Sequence, residues 1–207
     1  MADRAQVMEI LRAMAGRMEE KKEELTELDR PIGDSDHGIN LARGFEAVAK
    51  KLPQMEGMDI GAILKTAGMT LVSTVGGASG PLYGSAFMKA GMELAGRETV
   101  GKEDFLRAME AAIEAVGQRG HGRLGEATML DAMIPSLEAM KTAAKAGRDA
   151  SEMISEGVRA AWAGAEATKG MVATKGRASY VGERGLGHQD PGATSYAYLL
   201  EVIGEKL

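Results

Sequence analysis

Apolar residues recur at helical spacing along most of the chain. Between residues 4 and 28 they are separated mostly by three, four or seven positions, as on one face of an α-helix. Asp59 is a predicted N-cap, and Asp190 followed by Pro191 predicts the start of a last helix. No segment shows the alternation of a half-buried strand. The pattern predicts a single all-α domain over residues 1–207, with helices at about 4–28, 40–52, 59–71, 84–95, 102–117, 129–140, 151–173 and 190–206.

Composition supports the helical pattern and excludes several classes of protein. Aromatic residues make up only 4% of the chain, and the net charge is −5, which argues against a nucleic-acid-binding surface. The sequence contains no cysteine, so disulfides and thiolate zinc sites are excluded. No apolar stretch reaches the roughly 20 residues of a membrane helix, and the N-terminus lacks a signal-peptide pattern. We therefore expect a cytoplasmic protein that does not bind a membrane.

Three aspartates crowd one short segment, "LDRPIGDSDHGIN". Asp34 and Asp36 are two residues apart and face the same way on an extended chain, and Asp29 lies just before the turn at Pro31. Converging carboxylates suit a hard divalent cation, Mg²⁺ above all. Two alternatives stay open at this point. The segment is also typical of a plain polar turn, and a calcium loop is conceivable although no glutamate closes it at EF-hand spacing.

Glycine-rich stretches separate several of the predicted helices. In "GGASGPLYG" glycines expose backbone N–H groups, Ser79 adds a hydroxyl, and the following helix N-terminus favours an anion. In the last such loop Arg177 is a candidate phosphate partner. Such glycines are often only helix caps, and no Walker A lysine follows them. Taken together with the aspartates, the loops predict a nucleotide diphosphate site in which carboxylates hold Mg²⁺ and amides hold phosphate oxygens.

Four motifs carry a resemblance to a known family over essentially the whole chain. "IGDSDHGINLARGF", "GGASGPLYG", "TMLDA" and "GRASYVGERGLGHQDPGATS" occur in the order typical of the nucleotide-binding L subunit of dihydroxyacetone kinase. The resemblance implies a barrel of eight antiparallel amphipathic helices, with the nucleotide bound on the loops at one end.

The resemblance also assigns roles to individual residues. It implies that two Mg²⁺ ions are coordinated by Asp29, Asp34 and Asp36. It implies contacts to the nucleotide, ADP or ATP, from His37, Gly38, Ile39, Asn40, Ala78, Ser79, Gly120, Met129, Arg177, Asp190, Pro191 and Gly192. We expect no catalytic residue beyond this metal–nucleotide site, and we interpret His37 as a nucleotide and phosphate contact, not a general base.

The implied activity is phosphoryl transfer to dihydroxyacetone, which a separate K subunit holds. In one branch of the family ADP stays bound and is rephosphorylated by the phosphoryl-carrier M subunit of the sugar phosphotransferase system, and we favour this branch. In the other branch ATP exchanges as a substrate, for dihydroxyacetone or a related small ketose. A non-catalytic Mg-nucleotide-binding regulatory partner is the remaining alternative. The family further suggests a homodimer.

Two positions depart from the family pattern. Ala127 stands where the family often has lysine, which puts any role of that side chain in doubt. Ser35 stands where glycine is common, and we expect it to be tolerated in a turn that does not need a positive φ.

Overall fold

The structure is a computed structural model that describes residues 2–207. Across this range the chain forms nine α-helices, and they are α1 (Arg4–Glu20), α2 (Lys22–Asp29), α3 (His37–Lys51), α4 (Ile60–Thr74), α5 (Ser79–Glu93), α6 (Lys102–Gly120), α7 (Leu130–Lys145), α8 (Ala150–Ala167) and α9 (Pro191–Glu205). Short 3₁₀ turns occupy Leu52–Met55, Thr168–Gly170, Arg177–Tyr180 and Gly182–Gly185. Strands β1 (Ala2–Asp3) and β2 (Thr99–Val100) pair antiparallel, Ala2 opposite Val100.

Most of the predicted helices are confirmed, and several of their limits are corrected. The stripe over residues 4–28 is two helices, because the chain turns at Lys21, whose ammonium lies 5.0 Å from the centre of the Tyr198 ring. The second predicted helix begins at His37, earlier than expected, and the helix predicted to reach residue 173 ends at Ala167. The two-residue strands are too short to show an alternating pattern.

Both predicted caps are confirmed. The Asp59 carboxylate accepts the N–H of Ala62 at 3.0 Å, and the Asp190 carboxylate accepts the N–H of Ala193 at 2.7 Å. Pro191 is the first residue of α9, where its fixed φ suits the helix and its missing N–H costs nothing.

The long helices form a closed ring of packing partners. From α3 to α9 each helix contacts the next one along the chain, α9 contacts α1, and α1 contacts α3. The short α2 packs on α3 and α9. Side chains pointing into the ring form one apolar core, with Leu11, Met18, Phe45, Leu71 and Met140 almost completely buried. In the described residues no helix is both long enough and apolar enough to span a bilayer.

Helices α4 and α5 pack with their backbones in contact. A Cβ at Gly61 would lie 2.5 Å from the Gly91 carbonyl oxygen, and a Cβ at Gly68 would lie 2.7 Å from that of Gly84. These contacts are reciprocal, and their order shows that the two helices run antiparallel. Close packing here fixes the loop between the helices, residues 75–78, which forms part of the site described below.

We expect Gly68→Ala to destabilise the protein by about 2 kcal/mol, because the added methyl group must push two helix backbones apart. Urea denaturation would measure the change. Gly16→Ala is the matched control, since nothing lies within 4 Å of a Cβ at that exposed helical position, and we expect it to stabilise by about 0.5–1 kcal/mol. Equal stabilities of the two variants would contradict the close approach of α4 and α5.

Candidate functional site

One end of the ring holds a pocket built from helix N-termini. Helices α3, α5, α7 and α9 all begin there, and the first residues of these helices, His37, Ser79, Leu130 and Pro191, line a pocket of about 370 Å³. Each helix start carries N–H groups that have no partner within the helix, together with the positive end of its dipole. The pocket is therefore suited to an anion, and phosphate is the common ligand of such sites.

The three aspartates of the acidic segment meet at the edge of this pocket. One carboxylate oxygen from each of Asp29, Asp34 and Asp36 lies within 4.8 Å of the others. Asp29 is the last residue of α2, Asp36 is the N-cap of α3, and Asp34 lies in the loop between the helices. The convergence predicted from sequence spacing is thus present, with Asp29 buried, Asp36 half-buried and Asp34 exposed.

Asp29 is fixed by the loop that it also organises. Its carboxylate accepts the backbone N–H groups of Asp36 at 3.0 Å and His37 at 3.3 Å. Its carbonyl oxygen accepts the N–H of Gly33 at 2.6 Å. A Cβ at Gly33 would lie only 1.9 Å from Asp29 Oδ1, so this loop can close on the carboxylate only with glycine. The position of Asp29 is preorganised by these contacts.

Two arginines near the aspartates have different partners. Arg30, the only basic residue within the acidic segment, pairs with Glu27 at 2.7 Å. Arg177 arrives from the loop before α9, and its Nε lies 2.8 Å from Asp34 Oδ2. This ion pair was not predicted from the sequence, and it offsets one of the three negative charges.

The residues present fit a divalent cation. All the donors at the cluster are carboxylate oxygens, which Mg²⁺ and Ca²⁺ prefer, and no thiol is available for a softer metal. The adjoining helix N-termini suit the phosphates of a nucleotide, whose oxygens would complete the coordination of Mg²⁺. Asp29, Asp34 and Asp36 would hold the metal.

Ser35, between two of these aspartates, contradicts the prediction made for it. Its φ is +62°, so the turn does need the left-handed region that favours glycine. The loop must reverse between Asp34 and Asp36 to aim both carboxylates at one point, and Ser35 adopts the strained conformation that this reversal requires.

Most of the residues predicted to bind nucleotide line the pocket. They are His37, Ala78, Ser79, Gly120, Met129, Arg177, Asp190, Pro191 and Gly192, alongside the three aspartates. Gly38, Ile39 and Asn40 are not among the residues that line the pocket, although Asn40 lies beside Gly76, which does. A Cβ at Gly38 would lie 2.0 Å from the Lys22 carbonyl oxygen, so this residue packs α3 on α2. The Ile39 side chain is exposed, and Asn40 Oδ1 accepts a hydrogen bond from Arg43 at 2.6 Å.

The pocket also contains residues that were not predicted. Arg119 and Lys175 add two cationic side chains to its wall. Lys175 Nζ lies 3.9 Å from Glu126 Oε1, beside Ala127, which also lines the pocket. A lysine is therefore present next to the position where the family lysine is missing. Lys175 directly precedes Gly176 and Arg177 in the sequence, and this position was the available signal for its role.

His37 is buried and hydrogen-bonded on both ring nitrogens. Its Nδ1 lies 3.1 Å from Ser79 Oγ, and its Nε2 lies 2.9 Å from Ser195 Oγ, which in turn lies 2.7 Å from the hydroxyl of Tyr83. Burial lowers the pKa of His37 to about 4, against the opposing influence of Asp29, so the ring is neutral at physiological pH. Burial likewise raises the pKa of Tyr83, which keeps its proton.

Asp190 is the other buried ionisable group of the pocket. Burial raises the pKa of its carboxyl to about 7, and Asp131 and Asp29 act in the same direction, against the N–H groups that it caps. Because the folded-state pKa lies above the unfolded one, protonated Asp190 contributes stability that is lost as the pH rises towards about 7.

Asp190→Asn tests this pH dependence, since asparagine keeps the helix cap but does not titrate. Relative to the variant, we expect the wild type to lose about 2 kcal/mol of stability between about pH 5 and about pH 8. Urea denaturation at both pH values, without metal or nucleotide, would measure the difference. His37 titrates in both proteins, so its contribution to the pH dependence cancels in the difference between them. If the free energies of unfolding of the wild type and the variant differed by the same amount at both pH values, the raised pKa of Asp190 would be contradicted.

Comparison with known proteins identifies the family. The chain matches the DAK2 domain over residues 31–205. It is 42% identical over 183 residues to the ADP-binding subunit DhaL of the PEP-dependent dihydroxyacetone kinase of Escherichia coli (strain K12), covering 88% of this chain and 87% of the relative. It is 43% identical over 189 residues to the ADP-binding subunit DhaL of the PTS-dependent dihydroxyacetone kinase of Lactococcus lactis subsp. lactis (strain IL1403), covering 91% and 90%.

The fold has also been seen in a solved structure, the dihydroxyacetone kinase from C. freundii in complex with AMP-PNP and Mg²⁺. The TM-score is 0.76 at 24% sequence identity, and the likeness covers all of this chain but only 34% of that kinase. These matches confirm the resemblance drawn from the four motifs: the chain belongs to the DAK2 domain family, together with ADP-binding subunits of dihydroxyacetone kinases.

Proposed function

We propose that the protein is the nucleotide-binding L subunit of a dihydroxyacetone kinase and presents Mg-nucleotide to an acceptor held by a partner K subunit. One observation carries the proposal: three converging carboxylates stand beside a pocket at which four helix N-termini meet. A cation bound by the carboxylates can also bind an anion that lies at the helix N-termini. Mg²⁺ with the phosphates of a nucleotide supplies that cation and that anion.

Two Mg²⁺ ions on Asp29, Asp34 and Asp36 would neutralise charge on the phosphates. Around them the protein's own groups would bind and orient the nucleotide. The backbone N–H groups of Ala78 and Ser79, at the start of α5, would receive phosphate oxygens. Arg177 lies at the same edge and would turn from Asp34 towards a phosphate. Met129 and Gly120 line the part of the pocket assigned to the base.

His37 would orient groups and not move protons. It is neutral, and both of its nitrogens already have hydrogen-bond partners within the protein. The acceptor would come from the K subunit, so positioning and charge neutralisation remain as the contributions of this chain.

The nucleotide would be ADP, retained and rephosphorylated in place by the M subunit of the phosphotransferase system. The names of the two L-subunit relatives, PEP-dependent and PTS-dependent, support this branch over an exchanging ATP. We further propose that the ring of eight long helices is an antiparallel barrel, supported by the alternation of helix starts at the pocket. Location in the cytoplasm and assembly as a homodimer complete the proposal.

Reconstitution tests the function. The purified protein would be mixed with Mg²⁺, a dihydroxyacetone-binding K subunit, dihydroxyacetone and a phosphorylated M subunit, and dihydroxyacetone phosphate would be measured. Product that depends on all components is the expected result. Product formed with ATP in place of the carrier would instead favour the exchanging branch, and nucleotide binding without product in either case would favour a regulatory partner.

A further inference from the structure

The loop between α6 and α7, residues 121–129, forms one wall of the pocket. Its lining residues are Gly122, Ala127, Thr128 and Met129, next to Leu130 at the start of α7. A Cβ at Gly122 would lie 3.2 Å from Leu130 Cδ1, so this part of the wall is continuous. None of these five residues carries a charge. The wall therefore suits a base and its sugar better than the phosphates.

The backbone of the α6–α7 loop adopts a conformation that few residues favour. His121 and Ala127 have φ angles of +49° and +54°, in the left-handed region that residues other than glycine rarely adopt. Gly125, between them, has a φ of +89°. Such conformations persist where contacts with the surrounding structure hold them. The contacts that hold this loop therefore determine the shape of the wall.

The carboxylate of Asp131 makes two of these contacts. Its Oδ1 accepts the N–H of Gly125 at 2.5 Å, and its Oδ2 accepts the N–H of Thr128 at 2.8 Å. The two donors lie on either side of Ala127, so one carboxylate closes the turn in which Ala127 has its positive φ. Asp131 is only 1% exposed and is not among the residues that line the pocket. It acts on the loop and not on a ligand.

Asp131 itself lies on a rigid support. It belongs to the first turn of α7, and a Cβ at Gly164 of α8 would lie only 2.1 Å from the Asp131 carbonyl oxygen. The backbones of α7 and α8 are therefore in contact at this residue. The arrangement parallels that of Asp29, another buried carboxylate that accepts two backbone N–H groups and fixes a loop of the pocket.

We propose that Asp131 is a positioning residue that shapes the pocket for the nucleoside part of the ligand. The phosphates depend instead on the metal and on the helix N-termini. This inference deepens the proposed function, because its ligand is the nucleotide proposed above. Loss of the Asp131 contacts should weaken binding of ADP and spare binding of pyrophosphate, which lacks the nucleoside. A residue needed only for stability would affect both ligands equally.

Two variants disturb the loop in different ways. In Asp131→Asn one acceptor oxygen becomes an NH₂ group, so either Gly125 or Thr128 loses its acceptor. Gly125→Ala keeps every charge and strains the loop, because alanine disfavours a φ of +89°; nothing lies within 4 Å of the added Cβ, so the fold is kept. Gly147→Ala is the matched control, with a φ of +78° and equally open space, beyond the other end of α7.

Isothermal titration of each folded protein with Mg-ADP and with Mg-pyrophosphate would measure the two affinities. We expect Asp131→Asn and Gly125→Ala to weaken Mg-ADP binding about 10-fold and to leave Mg-pyrophosphate binding unchanged. Amide hydrogen exchange, followed by NMR on the nucleotide-free protein, gives a readout that needs no ligand. The N–H groups of Gly125 and Thr128 should be protected in the wild type and exchange faster in Asp131→Asn. Gly147→Ala should match the wild type throughout.

Equal losses of affinity for the two ligands would overturn the proposal, as would full Mg-ADP affinity in the variants. Unprotected amides at Gly125 and Thr128 in the wild type would also overturn it. If Asp131→Asn does not fold, Gly125→Ala decides the question by itself. Failure of the proposed function is a different result, because the wild type would then bind neither Mg-ADP nor Mg-pyrophosphate.

Discussion

Asp36→Asn is expected to reduce Mg²⁺-dependent binding of ADP by more than about 100-fold while leaving the helices intact. The Asp36 side chain makes no cap hydrogen bond to α3, so the change removes negative charge from the cluster without breaking a structural contact. Substitution of Asp29 or Asp34 would also remove contacts within the protein. Asp29 accepts two backbone N–H groups, and Asp34 pairs with Arg177.

Isothermal titration with ADP, with and without Mg²⁺, would measure the effect, and circular dichroism would check the fold. Asp149→Asn is the matched control. Asp149 is an exposed N-cap at the opposite end of the ring, and asparagine caps a helix equally well. Unchanged Mg-ADP binding in Asp36→Asn would contradict the assignment of a metal to these aspartates.

Gly33→Ala is expected to weaken Mg-ADP binding by about 10-fold to 100-fold, although the residue carries no ligand atom. The added Cβ would lie 1.9 Å from Asp29 Oδ1, so either the carboxylate or the loop must move. Asp29 is held by the same loop, and a shift of the loop separates it from Asp34 and Asp36.

Gly16→Ala is the comparison for this prediction too, because it makes the same substitution at an open helical position and should leave binding unchanged. The free energy of unfolding would be measured for both variants, so that a general loss of stability is distinguished from a local change at Asp29. Full Mg-ADP affinity in a folded Gly33→Ala variant would show that the position of Asp29 does not matter.

Local signals in the sequence predicted much of the structure. The apolar stripes predicted most of the helices, and Asp59 and Asp190 were predicted as caps because capping depends on the few residues around them. The convergence of Asp34 and Asp36 was predicted from their spacing on an extended segment, whereas the folded loop brings them together by reversing at Ser35. The turn at Lys21 was missed because it contains neither glycine nor proline, and Tyr198, which lies against it, comes from the other end of the chain.

The features that sequence could not predict depend on contacts between distant elements. The pairing of Arg177 with Asp34 needs the loop before α9 to fold over the acidic segment. The hydrogen-bond network around His37 needs three helices, α3, α5 and α9, in register. The positive φ of Ser35 follows from the demand that two carboxylates meet at one point, which is a property of the folded loop and not of the residue.

If this pocket holds a nucleotide through Mg²⁺, the purified protein should carry that nucleotide with it. The protein would be dialysed extensively with Mg²⁺ and denatured, and the released small molecules would be separated by ion-exchange chromatography. We expect one ADP per chain, lost when EDTA replaces Mg²⁺ during dialysis. A protein that releases no nucleotide and binds neither ADP nor ATP in the presence of Mg²⁺ would contradict it.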